Sequence, residues 1–536
     1  MTVLRDEDQC TSTPTAIPFV HKVATEGGKY IFDVNTGEIL RVDEVIWEIL
    51  EDSYLSEAEV IARHTPRFTP AQIAEAYREI SKVRAEKGYF LNDHPTVGLA
   101  VSRENVHDEL MHGRSQLILE ATERCNFGCT YCQRNFLAPG AVHHGARDMD
   151  WGTARAAIDD FLQHCRSPEP RNQDDGYSPD GAPIRSEPHN FAADAAYVSF
   201  YGGEPLLNFP LIKKCTEYVL KKAKGRKVYF ALSTNGYLLE GERAEYLAAH
   251  NFLVTVSLDG PASCHDRHRR TKEGMPTHGV VLDHFRAFVS RCPTQGGINA
   301  VLARGTDVRE VCRYFNSADW MPPGTYIRMA PASPPYPEYD RPSPRAADFP
   351  GLREMHREFI ERLIKGQIPP GDESREVSLV RDMLFDEYKK WHQLRWNVAR
   401  RKEEPYTPVG PCMAGIPRLY VSVAGDYYPC EKVLCREEYR IGSATAGVDE
   451  ERVYNLLRGF VECNLQECER CWCLPLCSVG CYATVWDRNG FSADVKKRAC
   501  ENGRKAVHQS LKDYCSVLEQ NPRAFDLFIK PDAVPA

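Results

Sequence analysis

An α/β protein built on a parallel sheet or barrel is predicted by three features of the 536-residue chain. Between residues 115 and 335, six runs rich in β-branched and aromatic residues alternate with helical patterns, as repeated strand-helix units do. Polar or glycine-rich residues stand just past the ends of these runs, where such folds carry their sites. A cysteine-dense region with few regular elements begins at Cys412.

Residues 1 to about 100 read as a small separate α+β unit. Lys29-Tyr30-Ile31-Phe32-Asp33-Val34 and Glu38-Ile39-Leu40-Arg41-Val42 are strand-like, with Asn35-Thr36-Gly37 as the turn between them. A helix follows from Asp43, with Val45, Ile46, Ile49 and Leu50 on one face. Thr69-Pro70-Ala71-Gln72 is a capping box with proline in the first helical position. Ile73, Tyr77, Ile80 and Val83 continue at helical spacing, and Gly88 is the stop. No catalytic cluster occurs here, so a packing or interaction role is expected.

The six central strands are expected at 116–120, 196–200, 227–232, 253–258, 297–302 and 325–329. Past their ends lie a cysteine loop, Tyr201-Gly202-Gly203-Glu204-Pro205, Ser233-Thr234-Asn235-Gly236 and Asp259-Gly260-Pro261. Residues 166–192, rich in Pro, Asp, Gly and Ser, read as a surface insertion. Residues 336–408 form a connector with helices over 352–364 and from about 377 to 400. The second carries Tyr388, Trp391, Trp396 and several arginines, and reads as a helix packed between domains. Leu419-Tyr420-Val421-Ser422-Val423, the turn Ala424-Gly425-Asp426, and Tyr427-Tyr428-Pro429-Cys430 make a short hairpin. Residues after about 516 read as a tail.

The formal net charge of -8 argues against a nucleic-acid-binding surface. The start, Met-Thr-Val-Leu-Arg-Asp-Glu-Asp, is acidic and lacks the apolar stretch of a signal peptide. No apolar run nears the ~20 residues of a membrane span. Of the 20 cysteines, 13 gather in two places, which points to metal rather than disulfides and to a reducing, cytoplasmic location.

The first gathering is Cys125-x3-Cys129-x2-Cys132, with no fourth cysteine nearby. Three thiolates hold three irons of a cubane cluster and leave the last without a protein ligand. An open metal position binds a substrate or cofactor. Alone, the trio also suits zinc. With Tyr131 before the third cysteine and Gly202-Gly203-Glu204-Pro205 after the second strand, the chain resembles the radical S-adenosylmethionine (SAM) enzymes over about 220 residues. The resemblance implies a partial (β/α)6 radical SAM barrel with a 4Fe-4S cluster on Cys125, Cys129 and Cys132. The open iron then binds SAM, whose cleavage gives a 5'-deoxyadenosyl radical that takes a substrate hydrogen. Gly202 and Gly203 are expected to let the cofactor approach the backbone, and Glu204 to accept from its ammonium. Ser233, Asn235, Ser257 and Asp259 are candidates for its ribose hydroxyls, and Arg267 or Arg270 for its carboxylate.

The second gathering runs Cys412, Gly425-x4-Cys430, Cys468-x2-Cys471-x5-Cys477-x3-Cys481 and Cys500. It resembles the SPASM domain of radical SAM peptide and protein maturases. That implies two auxiliary 4Fe-4S clusters, one on Cys412, Cys430 and Cys481, the other on Cys468, Cys471, Cys477 and Cys500. For the first, Cys435, Cys463 or Cys473 is available as fourth ligand, or the iron is open. The N-terminal unit resembles the winged-helix-like, PqqD-like elements that bind a precursor's leader as an added strand.

The expected organisation is therefore a recognition domain over 1–105, the barrel over 106–335, a helical connector over 336–408, a SPASM domain over 409–515 and a tail over 516–536. The function this implies is oxidative cross-linking of a ribosomally made precursor peptide, as a thioether or a carbon-carbon bond. A flavodoxin or ferredoxin is the expected electron donor. Glu431 stands where related sulfatase-maturing enzymes carry a catalytic aspartate, and either a base or a scaffold role suits it. An anaerobic sulfatase maturase and a non-catalytic iron-sulfur electron carrier are the rival readings.

Overall fold

The computed structural model describes residues 17–99, 102–135, 144–165, 195–223, 225–332, 349–369, 372, 374–384, 388, 390–392, 413–433, 436–463, 465–477, 479, 481–482, 485–487 and 490–526. The expected insertion at 166–192, Trp396, Cys412 and Cys435 lie outside these residues.

At the N-terminus, β1 (Val20–Ala24), β2 (Lys29–Asp33) and β3 (Ile39–Val42) form an antiparallel sheet in that order. The Asp33 carboxylate accepts from the Thr36 amide and hydroxyl, each at 3.0 Å, and so shapes the turn. Helices α1 (Glu44–Ile49), α2 (Glu57–His64) and α3 (Pro70–Lys87) follow. Asp43 caps α1, and α3 has its expected reciprocal capping box and ends at left-handed Gly88, φ 67°. Sequence reasoning missed α2, although Ser56 and Glu59 form the same box. Ile31, Ile46, Ile49, Leu50, Val60, Ile73 and Ile80 make this unit's core.

After α4 (Arg103–His112) the chain alternates regularly. Strands β4 (Gln116–Thr122), β5 (Ala195–Gly202), β6 (Lys227–Thr234), β7 (Leu253–Ser257), β8 (Gly296–Leu302) and β9 (Tyr326–Pro331) pair in parallel in chain order. Between them run α5 (Trp151–His164), α6 (Phe209–Lys222), α7 (Gly241–Ala249), α8 (Ala262–His268), α9 (His278–Arg291) and α10 (Val308–Asn316). The strands lie where the sequence predicts them. On β6 and β7 the residues Phe230, Leu232, Thr234, Val254 and Val256 are buried, whereas Ser233 and Leu253 are exposed and Thr255 and Ser257 half-buried. One sheet face thus packs under helices and the other stays open.

The expected C-terminal hairpin is present as β10 (Arg418–Val421) and β11 (Asp426–Tyr428). Its first strand lies parallel to β4, with Arg418 opposite Gln116, so β4 is not a sheet edge. With β12 (Gly442–Ser443) and β13 (Gly447–Val448) the sheet reaches ten strands. Tyr427 on β11 donates to Asp160 of α5 at 3.0 Å, and Arg114 meets the same oxygen at 2.7 Å.

A further core joins the two ends of the chain. Phe19, Val23, Phe32 and Val34 pack with Phe359 and Leu363 of α11 (Leu352–Ile364), Val377 and Val380 of α12 (Arg375–Leu384), Tyr388 and Trp391. The C-terminal helix Ala493–Gln520 supplies Val507, Leu511, Tyr514 and Val517. Tyr388 and Trp391 are therefore packing residues, as expected. The tail expected after 516 is corrected: the helix continues to Gln520, and Ala524 and Phe525 are buried in this core because they cover its apolar surface. Among the described residues no helix is long and apolar enough to cross a membrane.

Candidate functional site

The cysteine loop leaves the end of β4 and is stitched along its length. The Gly128 amide donates to Arg270 O at 2.9 Å, Thr130 N to His268 O at 3.1 Å, and Lys272 N to Asn126 O at 3.2 Å. Phe127, 1% exposed, anchors it edge-on against Tyr237. Burial pushes the Cys125 thiol up to about 12, and the charges of Glu204, Cys129 and Cys132 add to the rise. Burial also raises Cys129, against the pull of Arg269. Thiols so placed ionise readily only on binding a metal. The Phe127 amide donates to Cys125 Sγ at 3.4 Å, and His144 Nε2 lies 3.4 Å from Cys132 Sγ. Among the described residues, no three His, Cys, Asp or Glu side chains surround a single point as a mononuclear metal site requires.

The glycines at the end of β5 also answer to the protein's own backbone. A Cβ on Gly202 would lie 2.3 Å from Thr122 O, and one on Gly203 2.1 Å from Arg124 O. The Gly203 and Glu204 amides donate to those same carbonyls at 2.8 and 2.7 Å. Bare backbone is needed here for the cysteine loop's root, not only for a cofactor.

Glu204 follows directly on these glycines. It is fully buried and accepts from Thr234 Oγ1 at 2.7 Å, Leu206 N at 3.1 Å and Asn235 N at 2.7 Å. Burial pushes its carboxyl up to about 7 against these donors. It clamps the ends of β5 and β6 through these three donors. Asn235 bonds Asn126 of the cysteine loop at 2.8 Å through its side chain. Ser233 is exposed and Ser257 half-buried at the ends of their strands, both open to a ligand.

Asp259 joins the network around the cysteine loop. Its Oδ1 accepts from Val301 N at 2.8 Å, and its Oδ2 from Arg269 Nε at 2.9 Å and from the Tyr131 hydroxyl. Arg269, 6% exposed, also lies 5.3 Å from the Tyr131 ring centroid. Burial carries the Tyr131 hydroxyl well above its usual range. Arg267 and Arg270, expected at the SAM carboxylate, are exposed, and Arg270 donates to Gly274 O at 2.9 Å. The inward arginine is Arg269, which sequence reasoning passed over.

Behind this network, Arg134 pairs with buried Glu120 and donates to Tyr420 of β10 at 3.2 Å. Glu120 also accepts from Val423 N at 3.1 Å. The C-terminal region is thereby tied to the cysteine loop. Glu431 approaches from the same region. Burial, then its charge, push the Tyr201 hydroxyl up to about 12, and Arg134, Cys132 and Arg269 act on the same group. Among the described residues its Oε2 is enclosed without a hydrogen-bond partner.

The other cysteines fall into two places. Cys468, on the helix Leu465–Glu469, Cys471, Cys477 and Cys500 converge. Burial pushes Cys500 up to about 12 and Cys468 to about 11, and in each case the neighbouring thiols of the set add to the rise. Cys430 and Cys481 are half-buried, and Cys412 lies outside the described residues. Of the spare cysteines, Cys463 sits with the second set beside Cys468, and Cys473 is buried in the core under the N-terminal unit.

Residues 119–317 match the model of the radical SAM superfamily. The cysteine-type anaerobic sulfatase-maturating enzyme of Clostridium novyi (strain NT) is 22% identical over 394 residues, 69% of this chain and 88% of that enzyme. An uncharacterized protein of Methanocaldococcus jannaschii is 30% identical over 168 residues, 31% of this chain and only 46% of its own length. Among solved structures, native anSMEcpe with bound AdoMet and Kp18Cys peptide has a TM-score of 0.51 at 20% identity, over 77% of this chain and 98% of that one. At that identity the likeness is one of fold. The family match over residues 119–317 falls on the parallel strands and the cysteine loop.

Proposed function

We propose that the protein matures a ribosomally made precursor peptide by installing an oxidative cross-link, either a thioether or a carbon-carbon bond. The observation that carries this reading is the C-terminal helix. It bears Cys500 of the four-thiol set and also forms the floor under the N-terminal unit. In that unit, β3 is paired on one side only among the described residues, which suits a leader peptide added as a further strand. A recognition module and an electron-accepting site built on one helix are what a tethered substrate needs.

Cys125, Cys129 and Cys132 would hold the SAM-binding cluster. Cys412, Cys430 and Cys481 would hold one auxiliary cluster, and Cys468, Cys471, Cys477 and Cys500 the other. When bound, SAM and its cluster supply a 5'-deoxyadenosyl radical that removes hydrogen from the substrate. The chain's own groups hold the reaction in place. Ser233, Ser257 and Asn235 would meet the cofactor's ribose, and Arg269 keeps positive charge beside Cys129. Glu431, its Oε2 enclosed, is available to take a substrate proton. A small reduced protein of the flavodoxin or ferredoxin kind would donate the electrons.

A second reading, conversion of a cysteine or serine to formylglycine, is favoured by the match to the Clostridium novyi enzyme over most of its length. Co-expression with a candidate precursor, followed by fragment mass analysis, separates the two. Loss of two hydrogens shared between two residues supports cross-linking, whereas one residue carrying an aldehyde supports formylglycine. Dithionite reduction with SAM under argon tests catalysis itself. If no 5'-deoxyadenosine appears, an electron-carrier role replaces both.

A further inference from the structure

Lys496 lies in the first turns of the C-terminal helix, four residues before Cys500 and so on the same helical face. It is 1% exposed. Its Nζ donates to Phe460 O at 2.9 Å and stands 4.6 Å from the Phe460 ring centroid. Cys463 Sγ meets the same carbonyl at 3.3 Å. Its partners among the described residues are therefore a carbonyl, an aromatic face and a thiol, none of them a carboxylate.

Burying an ammonium without a counter-charge is costly, and proteins normally pair such a group. Two sulfurs lie beside it by geometry: Cys463, which meets the same Phe460 carbonyl, and Cys500, one turn further along the same helical face. Cys500 belongs to the four-thiol set.

We infer that Lys496 is the counter-charge of the auxiliary cluster on Cys468, Cys471, Cys477 and Cys500, and that it makes this iron easier to reduce. The inference rests on the reading of those cysteines as cluster ligands. Four thiolates leave a cubane anionic, and one further electron adds negative charge, so an adjacent cation favours the reduced state. That bias has a use in an oxidative cross-link, which removes two hydrogens from the peptide. One leaves as a hydrogen atom to the deoxyadenosyl radical. The other leaves as a proton and an electron, and the electron needs an acceptor. Lys496 is thus a positioning residue for charge and touches no substrate.

The test uses the full-length chain carrying Cys125→Ala, Cys129→Ala and Cys132→Ala, so that only auxiliary iron remains. Iron and sulfide are measured after anaerobic reconstitution, and midpoint potentials by redox titration read by electron paramagnetic resonance. If this parent holds no iron at all, the cluster reading itself fails. With the parent loaded, Lys496→Met is expected to lower one of the two potentials by about 59 mV or more, a tenfold fall in the one-electron reduction constant. Lys496→Arg is expected to keep the parent's potential to within a third of that shift. A fully loaded Lys496→Met with unchanged potentials overturns the inference. If Lys496→Met does not load, Lys496→Arg decides. A loaded Lys496→Arg at the parent's potential supports the counter-charge, whereas its equal failure makes Lys496 a packing residue.

Discussion

Arg269 stands in a run of three arginines within six residues, yet it alone turns inward, to Asp259 and the Tyr131 ring. Replacing it with methionine leaves Asp259 as an uncompensated buried charge, expected to cost about 3–5 kcal/mol. Denaturant unfolding of the iron-free chain measures this, with Arg267→Met and Arg270→Met expected to stay within about 0.5 kcal/mol of wild type. The sequence around His265 shows basic residues but not which of them faces the site. Helix α8 ends at His268 and Arg269 is already extended, φ -104° and ψ 95°, so helical spacing no longer tells direction. Glu204 gives a prediction in pH. Burial raises its carboxyl from an ordinary 4.5 to about 7. The folded chain holds the carboxyl proton more tightly than the unfolded one, so this contribution to stability is full below about 4.5 and lost by about 7. The wild-type advantage over Glu204→Gln in the iron-free protein should therefore shrink as pH rises through that window. The change amounts to roughly 3 kcal/mol at most, at 1.36 kcal/mol per pH unit. A difference that grows with pH refutes the burial argument.

The turn after β5 and the root of the cysteine loop form one element, because their backbones touch. Gly203→Ala would force a Cβ against Arg124 O, which must move along with the strand end beside it. Reconstituted Gly203→Ala should lose most of the iron held by Cys125, Cys129 and Cys132 and keep its auxiliary iron, as metal analysis and spectroscopy would show. Intact first-site iron would mean that the loop tolerates the shift. Elements of this kind were legible where local chemistry fixes them. The six central strands follow from β-branched runs, and α3 from Thr69, Pro70 and Gln72 at one end and Gly88 at the other. The parallel pairing of β10 with β4 was not legible. Arg418 and Gln116 are partners whose match depends on the assembled sheet, and no local pattern specifies it.

The whole molecule is closed by contacts between its ends. Thr25 and Tyr30 both donate to Glu519 Oε1, at 2.5 and 2.8 Å, and the His21 ring stacks on Trp472 at 3.5 Å. Trp391, 1% exposed, meets Phe32 edge-on at 5.0 Å in the shared core. Trp391→Ala should cost about 3–5 kcal/mol at that interface. Limited proteolysis should then release the N-terminal unit early, while SAM cleavage in the barrel persists. Loss of both together would mean that the interface also supports the barrel. The sequence offered its aromatic residues but not their destination, since Phe32, Trp391 and Phe525 lie far apart along the chain. The same long reach governs how the protein is made. Ser115 binds Pro417, 302 residues away, at the seam where β10 covers β4. A ribosome adding ~5–20 residues per second needs roughly 15 to 60 seconds to cross that interval. Throughout that time the first barrel strand is a bare, adhesive edge on a nascent chain, and its cysteine loop has no roof. Chaperone cover is therefore needed while the chain is still on the ribosome, and a chain truncated before β10 is expected to aggregate.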